Sequence, residues 1–77
     1  MSNQRPNSPM WDQIAGKWKQ FKGEIRSRWG DLTDDEVEQI AGERDKLVGR
    51  IQERYGRTRQ DAEREVDAWA DDVRTRI

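Results

Sequence analysis

The chain has 77 residues, 40% charged and 31% hydrophobic, with a net charge of −1, which sets it near the border between a small folded domain and a disordered segment. It has no Cys and no His, which removes a disulfide framework, a thiolate nucleophile, an imidazole base and any zinc site of the Cys/His kind. Four Trp favour folding, because each can bury a large apolar area, and a core of this size implies a stability of about 3–5 kcal/mol or less.

Residues 1–9 contain both prolines with Ser, Asn and Gln, and are expected to form a disordered tail ahead of one helical domain over residues 10–77. They lack the apolar centre of a signal peptide, and no apolar run approaches the ~18 residues of a membrane span. The reading is a soluble, cytoplasmic, monomeric protein. A first helix is predicted from about Met10 to Trp29. Trp11, Ile14, Trp18, Phe21, Ile25 and Trp29 follow at steps of three and four, one stripe of a 3.6-residue helix. Gly30 is the expected C′ stop. Thr33 and Glu36 have capping-box spacing, Asp34 and Asp35 suit the positive helix end, and Leu32 can staple onto Val37. Val37, Ile40, Leu47 and Ile51 keep helical phase across Gly42, which argues for one helix kinked there, while the cost of glycine, about 1 kcal/mol relative to Ala, argues for a break. Tyr55-Gly56 repeats the earlier stop, and Thr58 with Asp61 a weaker cap. The last helix is predicted over about 59–74, with Ala62, Val66, Trp69 and Val73 on its stripe. The fold class is all-α: a small bundle of four short helices, two α-hairpins with an internal duplication. The expected core is that of the stripes: Trp11, Ile14, Trp18, Phe21, Ile25, Trp29, Leu32, Val37, Ile40, Leu47, Ile51, Tyr55, Val66 and Trp69.

The duplication is read from WDQIAGKWKQFKGEIRSRWG at 11–30 and VEQIAGERDKLVGRIQERYG at 37–56, which align without a gap. QIAG recurs, and Gly23, Ile25, Arg28 and Gly30 fall on Gly49, Ile51, Arg54 and Gly56. The glycine pairs Gly16/Gly23 and Gly42/Gly49 lie roughly opposite the apolar stripe, and admit three readings: a second close-packing face, helices weakened by design, or no functional meaning. Charge alternates by segment: +4 over 1–30, −6 over 31–43, +4 over 44–59 and −3 over 60–77. Complementarity between neighbouring helices is the plainer explanation, and a basic surface for an anionic partner the sharper one.

The runs GKWKQFKGEIRSRWGDLTDDE and IAGERDKLVGRIQERYGRTRQDAEREV closely resemble the CsbD-like family of small bacterial stress proteins over roughly residues 11–70. The resemblance implies a compact helical fold of four helices in two hairpins and expression linked to general stress. It implies no catalytic residue. The N-terminus and the DDVRTRI end depart from the family pattern without touching its centre.

Nothing assembles an active site. Asp34-Asp35 and Asp71-Asp72 are neighbours that point about 100° apart on a helix, and DDEVE lacks the glycine and alternating ligands of a calcium loop. No glycine-rich phosphate cradle follows a strand. A non-enzymatic protein with no cofactor and no metal is expected. Two functions remain. The chain is a stress-associated protein acting through its surface, or as a conditional protectant of protein clients. Alternatively it is a binding module for nucleic acid or another anionic surface through the basic first and third helices, with Lys17, Lys19, Lys22, Arg26, Arg50 and Arg54 as the face. The Trp stripe favours burial of the rings over base stacking.

Overall fold

The computed structural model describes residues 8–76, and all regular structure in them is helical. The elements are α1 (Pro9–Gly16), α2 (Trp18–Arg28), α3 (Asp34–Ile40), α4 (Arg44–Tyr55) and α5 (Arg59–Arg74). Residues 1–7 of the expected tail lie outside the described residues. Ser8 and Pro9 instead begin the first helix: Ser8 Oγ accepts from Trp11 N at 3.3 Å, and Pro9 takes the first position, where its missing N–H costs nothing.

The all-α class holds, with five helices where four are expected. The predicted first helix divides at Lys17 (φ −113°, ψ 23°), whose N–H is shared between Gln13 O at 3.2 Å and Ile14 O at 3.1 Å. Gly16 supplies no side chain to hold that turn, and glycine has the weakest hold on helical geometry after proline. The apolar phase survives, since Trp11, Ile14, Trp18, Phe21 and Ile25 are all buried. Near Gly42 the chain breaks rather than kinks. Ala41 (φ 50°) and Gly42 (φ 80°) both turn left-handed, and α4 restarts two residues later. The physical reason is contact: a Cβ on Gly42 would lie 2.4 Å from Ala15 Cα, so only a glycine backbone can lie this close to α1. Shifted by 26 residues, α1 and α2 land on α3 and α4 to within two residues at every end.

The local signals act largely as read. Thr33 Oγ1 accepts from Glu36 N at 3.1 Å while Glu36 Oε1 accepts from Thr33 N at 3.0 Å, a complete capping box. Thr58 Oγ1 caps α5 through Asp61 N, and Gly56 ends α4 at φ 63°. Gly30 follows the end of α2 without a left-handed φ. There the chain turns by Leu32 N donating to Trp29 O at 3.1 Å.

Every expected core residue is buried except Tyr55, which is half-buried against the core with its hydroxyl accepting from Asp31 N at 3.1 Å. Val48, Ala62, Ala70 and Val73 complete the interior. The focus is Trp69 of α5, whose ring lies 6.0 Å from Trp11, 5.8 Å from Phe21 and 6.3 Å from Trp29, centroid to centroid. Tilted and edge-on pairs of this kind contribute about 0.5–1.5 kcal/mol each beyond the area they bury. Trp18 ties α2 to α3 by donating from Nε1 to Val37 O at 2.8 Å, a buried bond. Trp69 Nε1 is buried with no acceptor.

Candidate functional site

The six basic residues singled out in the sequence lie on α2, α4 and the turn before α2, and α3 packs against both of those helices. Its acids draw the cations inward from either side. From α2, Lys22 Nζ lies 2.8 Å from Glu38 Oε1 and Arg26 Nη1 lies 2.5 Å from Asp34 Oδ1. From α4, Arg54 donates through Nε and Nη2 to both oxygens of Glu36, at 3.1 and 2.7 Å. Arg50 Nη2 donates to Gln39 Oε1 at 3.0 Å, and its Nη1 lies 3.6 Å from Glu36 Oε2. Four of the six are thus engaged with α3, and the structure does not gather them into one patch. Lys17 and Lys19 are exposed and form no ion pair among the described residues. Arg28, nearby, rests its guanidinium 5.5 Å from the Trp29 ring.

Sequence reasoning identified Glu36 as a cap and missed its second role. The residue is 8% exposed, and its carboxylate serves Thr33, Arg54 and Arg50 together. The backbone hydrogen bond from Thr33, followed by the fork from Arg54, holds its pKa below the ordinary value, since both favour the charged form. The spacing of Glu36 and Arg54 gives no hint of this contact, because the two are 18 residues apart on different helices. Arg44 was also missed. It forks onto Asp67 at 3.0 and 3.1 Å and reaches Glu63 at 3.4 Å, joining α4 to α5. At the far end Arg76 bridges Glu24 of α2 and Asp72 of α5.

Between α3 and α4 lies an open groove of about 300 Å³ bordered by Gln39, Lys46, Arg50 and Glu53, with Gly49 and buried Ile40 below. Its rim cations are already committed: Lys46 to Glu43 at 2.9 Å, and Arg50 as described. Among the described residues no three His, Cys, Asp or Glu side chains come together in a way that could hold a metal ion. No helix among them is long and apolar enough to cross a membrane.

The helical glycines face open space. A Cβ added at Gly16, Gly23 or Gly49 would meet nothing within 4 Å. The close-packing reading therefore fails for these three within the folded chain, while Gly42 does pack closely, from a turn rather than a helix.

A protein-family model described as CsbD-like matches residues 12–64. The chain is 63% identical over 27 residues to a UPF0337 protein of Rhodopirellula baltica, covering 35% of this chain and 40% of that one. It is 48% identical over 62 residues to a UPF0337 protein of Nitrosomonas europaea, covering 80% and 66%. To the UPF0337 protein YjbJ of Escherichia coli it is 57% identical over 58 residues, covering 75% and 84%. It thus spans less than half of the first relative and just under two thirds of the second. No solved structure matches.

Proposed function

Since this chain belongs to the CsbD-like family, we propose that it is a non-enzymatic, cytoplasmic, general-stress-associated protein that works as a conditional protectant. It is folded and inert in ordinary conditions, and loosens under stress to present amphipathic helices to client surfaces. The observation that carries this reading is the pair of mid-helix glycines, Gly23 and Gly49, set where a side chain would meet nothing. Each lowers helix stability by about 0.5–1 kcal/mol relative to Ala with no packing gain in return. In a domain holding only a few kcal/mol in all, that is a sizeable share. Each helix it opens carries a continuous apolar stripe. The ion-paired exterior supports inertness when closed, because most cations already have an anion.

The test is suppression of aggregation of a heated client enzyme by the full chain at modest excess. Wild type should protect from the temperature at which its own tertiary signal begins to fall. The Gly23→Ala/Gly49→Ala variant should protect only from a higher temperature. Equal protection by both, or none by wild type, overturns the reading.

A second reading has one observation of its own. Lys17 and Lys19 are exposed cations without an acidic partner among the described residues, which favours contact with nucleic acid or another anionic surface. Retention of the folded protein on heparin at low salt, lost in Lys17→Glu/Lys19→Glu, would support it.

A further inference from the structure

The segment from Met10 to Trp29 has a composition its position in the fold does not require. One side carries Trp11, Ile14, Trp18, Phe21, Ile25 and Trp29, all buried. The other sides carry Lys17, Lys19, Lys22, Arg26 and Arg28 against only Asp12 and Glu24. Aromatic residues at both ends of an apolar stripe, with Lys and Arg beside it, are the makeup of a helix that lies in a membrane interface. Within the fold the apolar face is covered by the rest of the chain and part of the polar flank is ion-paired, while Lys17 and Lys19 stay exposed. Trp69 of α5 meets three of the aromatic rings, and Glu38, Asp34 and the Arg76–Glu24 bridge take up the polar flank.

We propose that α1–α2 is a covered pair of interfacial helices, and that an anionic phospholipid surface competes with α3 and α5 for it. This rests on the reading that the fold opens under stress, and it names the surface that the opened chain meets. Three features of the fold serve the exchange. Among the described residues a single connection, residues 29–33, joins the segment to α3–α5. Its charged ties are ion pairs at largely exposed side chains, such as Arg26–Asp34 at 41% and 74% exposure, which contribute little in water, so the buried bond from Trp18 Nε1 to Val37 O is the main polar contact that the exchange must break. The covering residue, Trp69, holds a buried indole N–H without an acceptor, and that group regains a partner once water reaches it. Leaving the core exposes the apolar stripe, but entering the lipid interface buries it again, so one apolar environment replaces another. The net charge of the segment then decides the lipid. Anionic headgroups attract five cations that neutral headgroups do not, whereas the acidic α3 and the acids of α5 are repelled and left in water. A surface that binds only the opened form must lower the stability of the closed one.

The experiment follows the full chain by near- and far-ultraviolet circular dichroism during heating, with vesicles of phosphatidylcholine alone or mixed with phosphatidylglycerol. Tryptophan quenching by acyl-chain-brominated lipid is read alongside. With anionic vesicles the tertiary transition should fall in temperature while helicity persists, and brominated lipid should quench Trp emission. Neutral vesicles should do neither. Lys17→Gln/Lys19→Gln, at exposed positions without ion pairs, should melt as wild type in buffer yet need roughly thirtyfold more anionic lipid, about fivefold for each charge. An unchanged or raised transition with anionic vesicles, equal action of neutral vesicles, or an unaltered lipid requirement in the double variant overturns the proposal. So does displacement of the vesicles by duplex DNA that binds the still-folded protein. Client protection without lipid binding would sink this inference and leave the protectant reading standing. Absence of both would sink the two together.

Discussion

Gly16 and Gly42 occupy the same place in the two QIAG motifs, yet replacing each with Ala should have opposite effects. At Gly42 the substituted Ala inherits φ 80°, which costs an L-residue about 1–2 kcal/mol. Its Cβ would also stand 2.4 Å from Ala15 Cα, 2.5 Å from Ala15 Cβ and 3.0 Å from Ala15 N. These are helix backbone atoms and the first side-chain atom of a rigid residue, with no flexible tip to swing aside, so α3 and α1 must separate. Overpacking of this kind costs about 1–3 kcal/mol. The smaller entropy of the unfolded Ala chain returns about 0.4–1 kcal/mol. The expected net loss is about 1–4.5 kcal/mol, centred on ~3, a large share of what a domain this small holds. At about 4–8 °C per kcal/mol, that central value lowers the melting temperature by more than ~10 °C. Gly56→Ala isolates the conformational part, since φ is 63° there and a Cβ meets nothing, and should cost about 1 kcal/mol. Gly16→Ala, with neither penalty, should be neutral or stabilising. Thermal and urea unfolding monitored by Trp circular dichroism measures all three. A Gly42→Ala loss no larger than that of Gly56→Ala would refute the claim that close approach of α1 and α3 breaks the helix at this point.

Three further outcomes can be checked on the same instrument. Ala41 is exposed at φ 50°, so Ala41→Gly should stabilise by about 0.5–1 kcal/mol, against the usual direction for a glycine, as an upward shift of the melting temperature. Trp18→Phe should cost more than Trp69→Phe, by about 1–3 kcal/mol, because the first change strips the donor from Val37 O while the second removes an N–H that has no acceptor. The Glu36 carboxyl has its folded pKa lowered from an ordinary 4.5, so its contribution is fully present above that value and disappears as pH falls through the folded pKa. Glu36→Gln should therefore melt below wild type at pH 7, and the gap should close below about pH 4.5. A gap that persists at low pH would assign the effect to shape rather than charge.

What the sequence disclosed and what it withheld divide along the range of the interactions. The stripes of α1–α2 and α5, the capping box at Thr33 and the stop at Gly56 depend on residues within four positions of one another, and all are in place. The alternation of charge pointed to complementary helices, but not to which acid answers which base, because that needs α3 to be known as the helix between α2 and α4. Hence Lys22, Arg26, Arg50 and Arg54 could be named as basic residues but not matched to their partners on α3, and Glu36 read as a cap alone. The division of the first helix at Lys17 was hidden for a related reason: apolar phase continues straight through it, so periodicity carries no mark of the turn. The duplicated motif shows the limit most sharply. Two copies of QIAG carry the same local preferences, but two copies and one odd helix, α5, cannot give both the same neighbours. Gly16 ends in open space, while Gly42 lies against Ala15 of the other copy. A repeat can fix where a chain is free to turn. Which of those places becomes a true corner is decided by what happens to be packed behind it.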